Sequence, residues 1–344
     1  MKVMEKRHVV VTGAAGLLGV DVITQARKRG SQVVAIDDGS AGTWQRLTAF
    51  QDDEGVRCCR IDICDLDALA DVWPTNGSAD VVHLAARHFI PDCQANPSAA
   101  RRINVQGTAN VLAMAEARAA RRLILASTAD VYATGTEPHD DDDPVSPATV
   151  YGQTKAKAES LVAAAASRSP RTSFLCARLF NLYGPDPTVE HLIPAIIEQA
   201  TAGELVRVGN LDSIRDYVYV EDAAKALTEL LSGTASGALN VGTGKGTSGH
   251  RVVRLVGQIL QKELVTVEDA KRMRAIDRPN LVASPRRLRA LLPWWPATSL
   301  EEGLARILRR DGSTGLPKAP LPGIDEQTAS VLPRGRTERG GALR

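Results

Sequence analysis

Tyr151 and Lys155 stand four residues apart, a spacing that places both side chains on one helix face about one turn apart. A phenol titrates near ~10 and is a poor base at neutral pH. A nearby ammonium stabilises the phenolate and makes the tyrosine usable for proton transfer. Upstream, the apolar run Leu123–Ala126 leads into Ser127-Thr128-Ala129-Asp130-Val131-Tyr132. A hydroxyl at Thr128, on the exit edge of a buried strand, suits holding a substrate hydroxyl while Tyr151 takes its proton. The spacing alone is weak evidence, because most such pairs are ordinary surface residues.

Other elements must position that pair. His8–Thr12 reads as a β-branched strand running into Gly13-Ala-Ala-Gly16-Leu17-Leu18-Gly19 and an amphipathic helix that stops near Gly30. In such a loop Gly13 permits the tight turn, Gly16 lets backbone N–H groups approach a pyrophosphate, and Gly19 lets helix and strand pack closely. A second strand, Val33–Asp37, ends on a carboxylate suited to the adenosine ribose; Asp37 would repel a 2′-phosphate, favouring NAD(H) over NADP(H). Strands follow over Val56–Ile63, Asp80–Ala86, Leu123–Ala126 and Thr172–Arg178, with a helix opening at Ile103 and running to about Ala120. Asp62 and Ile63 fall where they can contact the adenine, and Leu84, Ala85 and Ala86 are small or apolar residues at a strand exit. This rhythm predicts an α/β fold, a doubly wound parallel sheet with ligands outside the carboxyl ends of its strands.

Between Thr134 and Thr149 the chain is polar, with four consecutive aspartates ending at Asp143; a solvated loop accounts for these better than a divalent metal site. Arg178–Pro185 is a Gly/Pro-terminated exit suited to a binding loop, and a helix is expected from His191 to about Thr201. Further strands are expected near 206–210 and 239–241, and Thr247 or Ser248 can cap the helix after the latter. Arg215 and Arg278 sit in loop-like contexts compatible with either diphosphate binding or surface salt bridges. From Asp311 the composition shifts to that of a flexible tail, 311–344.

The 344 residues allow one large or two modest domains, and 42 basic against 40 acidic residues leave a net charge of +2. Neither that balance nor four Trp and four Phe suggests nucleic-acid binding. Five cysteines show no zinc spacing or disulfide framework, no apolar run reaches membrane-span length, and no signal peptide is visible. The expectation is a soluble, cytoplasmic protein without metal.

Taken in order, these motifs resemble the extended short-chain dehydrogenase/reductase family, in particular its NAD-dependent nucleotide-sugar epimerases and dehydratases. The matching pieces are Thr12–Gly19, Asp37, Asp62-Ile63, His83–Ala86, Asn104–Thr108, Ser127–Tyr132, Tyr151-x-x-x-Lys155, Arg178–Pro185, Arg215–Val220, Asn240–Gly244 and Arg278-Pro279, covering about residues 8–308. The resemblance implies a Rossmann NAD-binding domain over 1–180, its core completed by segments near 215–245, and a nucleotide-sugar-binding region over 181–310. It implies NAD as cofactor, a UDP-sugar as the commonest donor, and a homodimer through helices near 105–120 and 151–166. Tyr151 would deprotonate a sugar hydroxyl, usually at C4, with Lys155 holding the nicotinamide ribose and Thr128 bonding the reacting hydroxyl. Asn104 falls among cofactor-binding positions. Asn181, Arg215 and Arg278 fall where relatives contact the nucleotide or phosphates; His191 and Leu192 fall among substrate-binding positions, with many members carrying Asn in place of His191. By the same alignment His88 lies near the sugar pocket.

The subclass turns on two positions. The 4,6-dehydratases carry Asp and Glu directly after the threonine, whereas this chain has Ala129 and Asp130. Alanine cannot act as an acid, so the resemblance favours a 4-epimerase. Asp130 leaves open a base at C5, a decarboxylase-like role on a uronic acid, or an indirect supporting role. A nonenzymatic NAD-binding sensor on the same fold is a further class, against which retention of Thr128, Tyr151 and Lys155 argues.

Overall fold

The computed structural model describes residues 7–40, 44–75, 79–188, 191–273 and 278–310. The expected tail, 311–344, lies outside them. Strands β1 (His8–Thr12), β2 (Gln32–Asp37), β3 (Val56–Arg60), β4 (Ala79–His83), β5 (Arg122–Thr128), β6 (Ser173–Leu179) and, much later, β10 (Gly237–Val241) form one parallel sheet in the order β10-β6-β5-β4-β1-β2-β3. Every residue of β4 and β5 is buried, as central parallel strands covered on both faces require. Helices α1 (Gly19–Lys28) and α8 (Val220–Leu230) pack together on one face; α2 (Leu66–Val72), α5 (Thr108–Ala117) and α6 (Val150–Arg168) cover the other. The doubly wound expectation is met.

The remaining elements, apart from a helix at Arg286–Leu291 that packs beside β10, gather beyond the carboxyl ends of β1, β4, β5 and β6. They include α3 (Ile90–Ala95), α4 (Pro97–Arg101), β7 (Asn181–Tyr183), α7 (Leu192–Ala202), β8 (Leu205–Val208) and β9 (Ile214–Tyr219). Then come β11 (Gly246–Ser248), α9 (Gly249–Leu260), β12 (Val265–Glu268), β13 (Asn280–Leu281), α10 (Arg286–Leu291) and α11 (Leu300–Arg310). Apolar residues of α7, β8, α9 and α11 share a separate core, to which Ile196, Val206, Val256 and Leu308 each contribute a fully buried side chain. Ser248 caps α9 through its side chain, as anticipated.

Two segments differ from expectation. The helix expected at 103–120 begins earlier, at Pro97, and reaches α5 through a π-helical turn over Arg102–Gly107. The polar stretch 134–149 is not simply solvated. His139 stacks on Tyr132 at 4.5 Å, and Asp141 accepts the Asn240 amide at 2.6 Å, tying the loop to β10. No metal-binding cluster of His, Cys, Asp or Glu occurs among the described residues.

Packing of α1 on α8 brings together acidic groups from two first helical turns, Asp21 and Glu221. Burial, then the charge of Glu221, raises the Asp21 carboxyl to about 6, against the pull of Arg310, Arg46 and Lys28. A carboxyl whose folded pKa lies above its unfolded value near ~4 destabilises the fold when ionised. That penalty is complete above about 6 and absent below ~4. Asp21→Asn is therefore expected to raise the thermal midpoint by roughly 2–4 °C at pH 7.5 and to give no gain at pH 4, in scanning calorimetry across pH.

Candidate active site

Thr128 is the last residue of β5, and a 3₁₀ turn, Ala129–Val131, follows at once. The Thr128 hydroxyl accepts the Asp130 amide at 3.2 Å, which closes that turn. Thr149 caps α6 by accepting the Gly152 amide at 3.0 Å, so Tyr151 lies in the first helical turn. Gly152 is what lets the two pieces meet: a Cβ there would lie 2.4 Å from the Asp130 carbonyl oxygen. The Thr128 hydroxyl and the Tyr151 phenol face each other as a result.

Burial drives the Tyr151 phenol well above its ordinary pKa, and the Asp130 charge adds to the rise; the Thr128 hydroxyl opposes both. The anticipated lowering by Lys155 does not govern the phenol in this structure. Lys155 lies one turn further along α6, is 1% exposed, and is not among the residues lining the cavity. Burial pushes its ammonium down to about 8, with Glu159 and Cys176 acting in the other direction. Its charge is felt instead by His83, which burial and Lys155 hold neutral near 3, between the hydroxyls of Thr12 at 2.6 Å and Thr108 at 2.9 Å.

These groups border a cavity of about 1160 Å³. Its floor is Gly13, Gly16, Leu17, Leu18 and Gly19, with Asp37, Asp62 and Ile63 along one side and Leu84, Ala85, Ala86 and His88 along the β4 exit. Gly13 has φ +69°, and a Cβ on it would stand 2.6 Å from the Ala85 nitrogen, so only glycine allows the first loop this close to the β4 exit. Asp37 accepts the amides of Ala15 at 3.0 Å and Gly39 at 2.8 Å, one on each oxygen. Thr128, Asp130 and Tyr151 border the middle of the cavity. Asn181, His191, Leu192 and Arg215 line its far part. The buried Asn181 Oδ1 has no hydrogen-bond partner. The His88 and His191 rings lie 6.2 Å apart, and burial lowers the His88 pKa.

Two further expected site residues stand off the lining. Asn104 is 0% exposed and braces the 87–88 corner: it accepts the Arg87 amide at 2.7 Å, donates to the Arg87 carbonyl at 2.9 Å, and donates to Thr154 at 2.9 Å. Arg278 is also buried, with its guanidinium on carbonyls of the 129–132 turn. Conversely, Arg207, Lys271 and Arg272 line the far part of the cavity without having been anticipated, as do Asn210, Ser213 and Tyr217. Arg207 is the one polar residue of the short apolar run Leu205–Val208, and the parallel pairing of β8 with β12 brings it near Lys271 and Arg272.

A buried ammonium at position 155 destabilises the fold below about 8, and that effect fades towards the unfolded lysine value near ~10.4. Lys155→Met should consequently raise the unfolding free energy at pH 7 by about 1–3 kcal/mol, with the gain shrinking as pH approaches ~10.5. Urea melts at both pH values check this; equal gains at both would contradict it.

The chain matches the model of the NAD dependent epimerase/dehydratase family over residues 9–242. It is 29% identical over 317 residues to a UDP-glucuronate 4-epimerase of Thermodesulfobacterium geofontis, covering 88% of this chain and 95% of that one. A dTDP-glucose 4,6-dehydratase of Escherichia coli is 29% identical over 336 residues, covering 87% and 92% of the two chains. Among solved structures, MoeE5 in complex with UDP-glucuronic acid and NAD is similar at a TM-score of 0.77 and 29% identity, over 88% of this chain and 99% of that one. No helix among the described residues is long and apolar enough to cross a membrane. With the sheet, the glycine loop and the Thr128–Tyr151 geometry, the match over most of its length identifies the chain as a member of the NAD dependent epimerase/dehydratase family.

Proposed function

We propose that the chain is a nucleotide-sugar 4-epimerase using NAD, with a UDP-sugar as donor. The observation that carries this reading is the pairing of Tyr151 with Thr128 beside Ala129, whose methyl group is 1% exposed. The wall offers a base and a hydroxyl clamp for one sugar hydroxyl, and position 129 offers no acid to expel another.

The cradle at Gly13, Gly16 and Gly19 at the start of α1, with Asp37 beside it, fits a dinucleotide. When bound there, NAD supplies a reversible two-electron oxidation at sugar C4. In this reading Leu17, Leu18, Asp62, Ile63, Leu84, Ala85 and Ala86 pack around the cofactor, Lys155 backs its ribose, and Asn104 acts indirectly by fixing Arg87. Tyr151 removes the C4 hydroxyl proton and later returns it, and Thr128 holds that oxygen in reach. Arg207, Arg215, Lys271 and Arg272 give the far part a positive field suited to a diphosphate, and the orphan Asn181 Oδ1 has a lone pair for a donor on the nucleotide. His88, His191 and Leu192 border the sugar. The reading includes a homodimer through the faces near 105–120 and 151–166.

One observation favours a second reading: Asp130 lines the cavity and its charge bears on Tyr151. A carboxylate there suits a base at C5 in a dehydratase, or a role in uronic-acid decarboxylation, both using the same C4 oxidation. Incubation with a panel of nucleotide sugars, uronic acids included, in D₂O separates the readings by NMR and mass. A mass-neutral product without carbon-bound deuterium is expected; deuterium at C5, or loss of water or CO₂, would transfer the assignment to the second. Tyr151→Phe should lower turnover by about 10²–10⁴-fold while leaving NAD bound, as read by cofactor stoichiometry after gel filtration.

A further inference from the structure

Arg278 is the buried cation whose position the cavity does not explain. Its side chain is 6% exposed, and its guanidinium meets the 129–132 turn. Nη1 donates to the Ala129 carbonyl at 3.1 Å and lies 3.8 Å from Asp130 Oδ1, and Nη2 donates to the Tyr132 carbonyl. Its own carbonyl accepts Nη1 of Arg215 at 2.7 Å, and Arg215 lines the cavity. A continuous path therefore runs from the cavity wall through Arg278 to the turn that begins at Thr128 and touches α6 at Gly152. A guanidinium removed from water needs such partners, and its fork suits two carbonyls better than an ammonium would.

We propose that Arg278 is a positioning residue: from outside the cavity it clamps the 129–132 turn and fixes the Asp130 carboxylate beside Tyr151, so that it sets the charge balance at the phenol. The inference rests on the proposed role of Tyr151 as base. The charged and titratable neighbours among the described residues are these. Asp130 faces Arg278 and Tyr151; Arg278 also faces Arg215 and His139; Tyr151 faces Asp130, Thr128 and Cys93. A negative charge at Asp130 disfavours the phenolate, and in this proposal the Arg278 guanidinium, 3.8 Å from Asp130 Oδ1, offsets it. Loss of the Arg278 charge should thus move the acid limb of the kcat–pH profile upward, and loss of the Asp130 charge should move it downward.

The experiment compares kcat and KM across pH for wild type, Arg278→Met, Arg278→Lys, Asp130→Asn and the double variant Arg278→Met/Asp130→Asn, using the nucleotide sugar that the wild type turns over. Arg278→Met should shift the limb up by about one pH unit, Asp130→Asn should shift it down, and Asp130→Asn should cancel the upward shift in the double variant. Arg278→Lys keeps the charge and should keep the limb while lowering kcat. A raised KM with an unmoved limb would assign Arg278 to ligand binding instead, and a lower thermal midpoint with an unmoved limb would leave it a purely structural residue; either overturns the proposal. Absence of wild-type turnover with every donor would count against the proposed function. The clamp is then read without substrate, by amide hydrogen exchange over 128–132. Arg278→Met should speed exchange there by about tenfold or more, and unchanged exchange would refute the clamp.

Discussion

A buried ion pair joins the two halves of the site. Arg178, on β6, donates from Nε and Nη2 to the two carboxylate oxygens of Glu159 on α6 at 3.0 and 2.8 Å. The Glu159 carboxylate also accepts the Ser127 hydroxyl, one residue before Thr128. Through Nη1, Arg178 reaches the Tyr132 hydroxyl at 2.8 Å, just past the turn. One guanidinium and one carboxylate thus tie the end of β5, the turn beyond it and the helix carrying Tyr151 and Lys155. Burying the pair yields little net stability, but removing one partner strands a charge in the interior, at a cost of about 3–5 kcal/mol. The return is geometric. Thr128 and Tyr151 belong to different elements, and their facing each other requires those elements to keep a fixed separation.

The same pair explains the state of Lys155. Glu159 lies one turn beyond it on α6 and is the natural counter-ion for a buried ammonium, but its oxygens are committed to Arg178 and Ser127. Lys155 is left with distant compensation and a pKa near 8, while His83 is held neutral by burial and by the lysine charge. Such local conflict between stability and charge is what a ligand site produces and a purely structural core avoids.

Much of this was visible in the sequence because the relevant signals are local. The glycine loop between β1 and α1, the carboxylate ending β2, the threonine ending β5 and the capped start of α6 each lie within a few residues of the structure they specify. The features that the sequence hid depend on non-local pairing. Arg278 meets the 129–132 turn because the segment around β13 lies parallel to β9, pairing Asn280 with Ile214. Arg207 and Lys271 share a wall because β8 pairs with β12. Asn104 looked like a ligand-facing residue, but the π-helical turn that carries it directs its amide to Arg87 and Thr154. In the aspartate run at 140–143, Asp140 and Asp142 are solvent-facing as read, while Asp141 accepts the Asn240 amide that the late strand β10 brings to it.

Relatives with different named reactions share similar identity with this chain, and the architecture gives a reason. The elements that place Thr128, Tyr151 and Lys155 are a strand end, a helix start and the ion pair between them; under the proposed function, none depends on the steps after C4 oxidation. In that reading the outcome rests on which protonable groups the short turn after Thr128 turns toward the cavity. That turn is three residues long, and its backbone is held by Thr128, Gly152 packing and Arg278, whatever side chains it carries. Substitution at 129 or 130 can therefore change the chemistry without disturbing the scaffold. In this chain Ala129 is buried and Asp130 faces a guanidinium, so the one acidic group on the turn is engaged by a partner outside the cavity. A carboxylate in that position acts on the phenol beside it through its charge, which ties the reaction outcome and the basicity of Tyr151 to the same three residues.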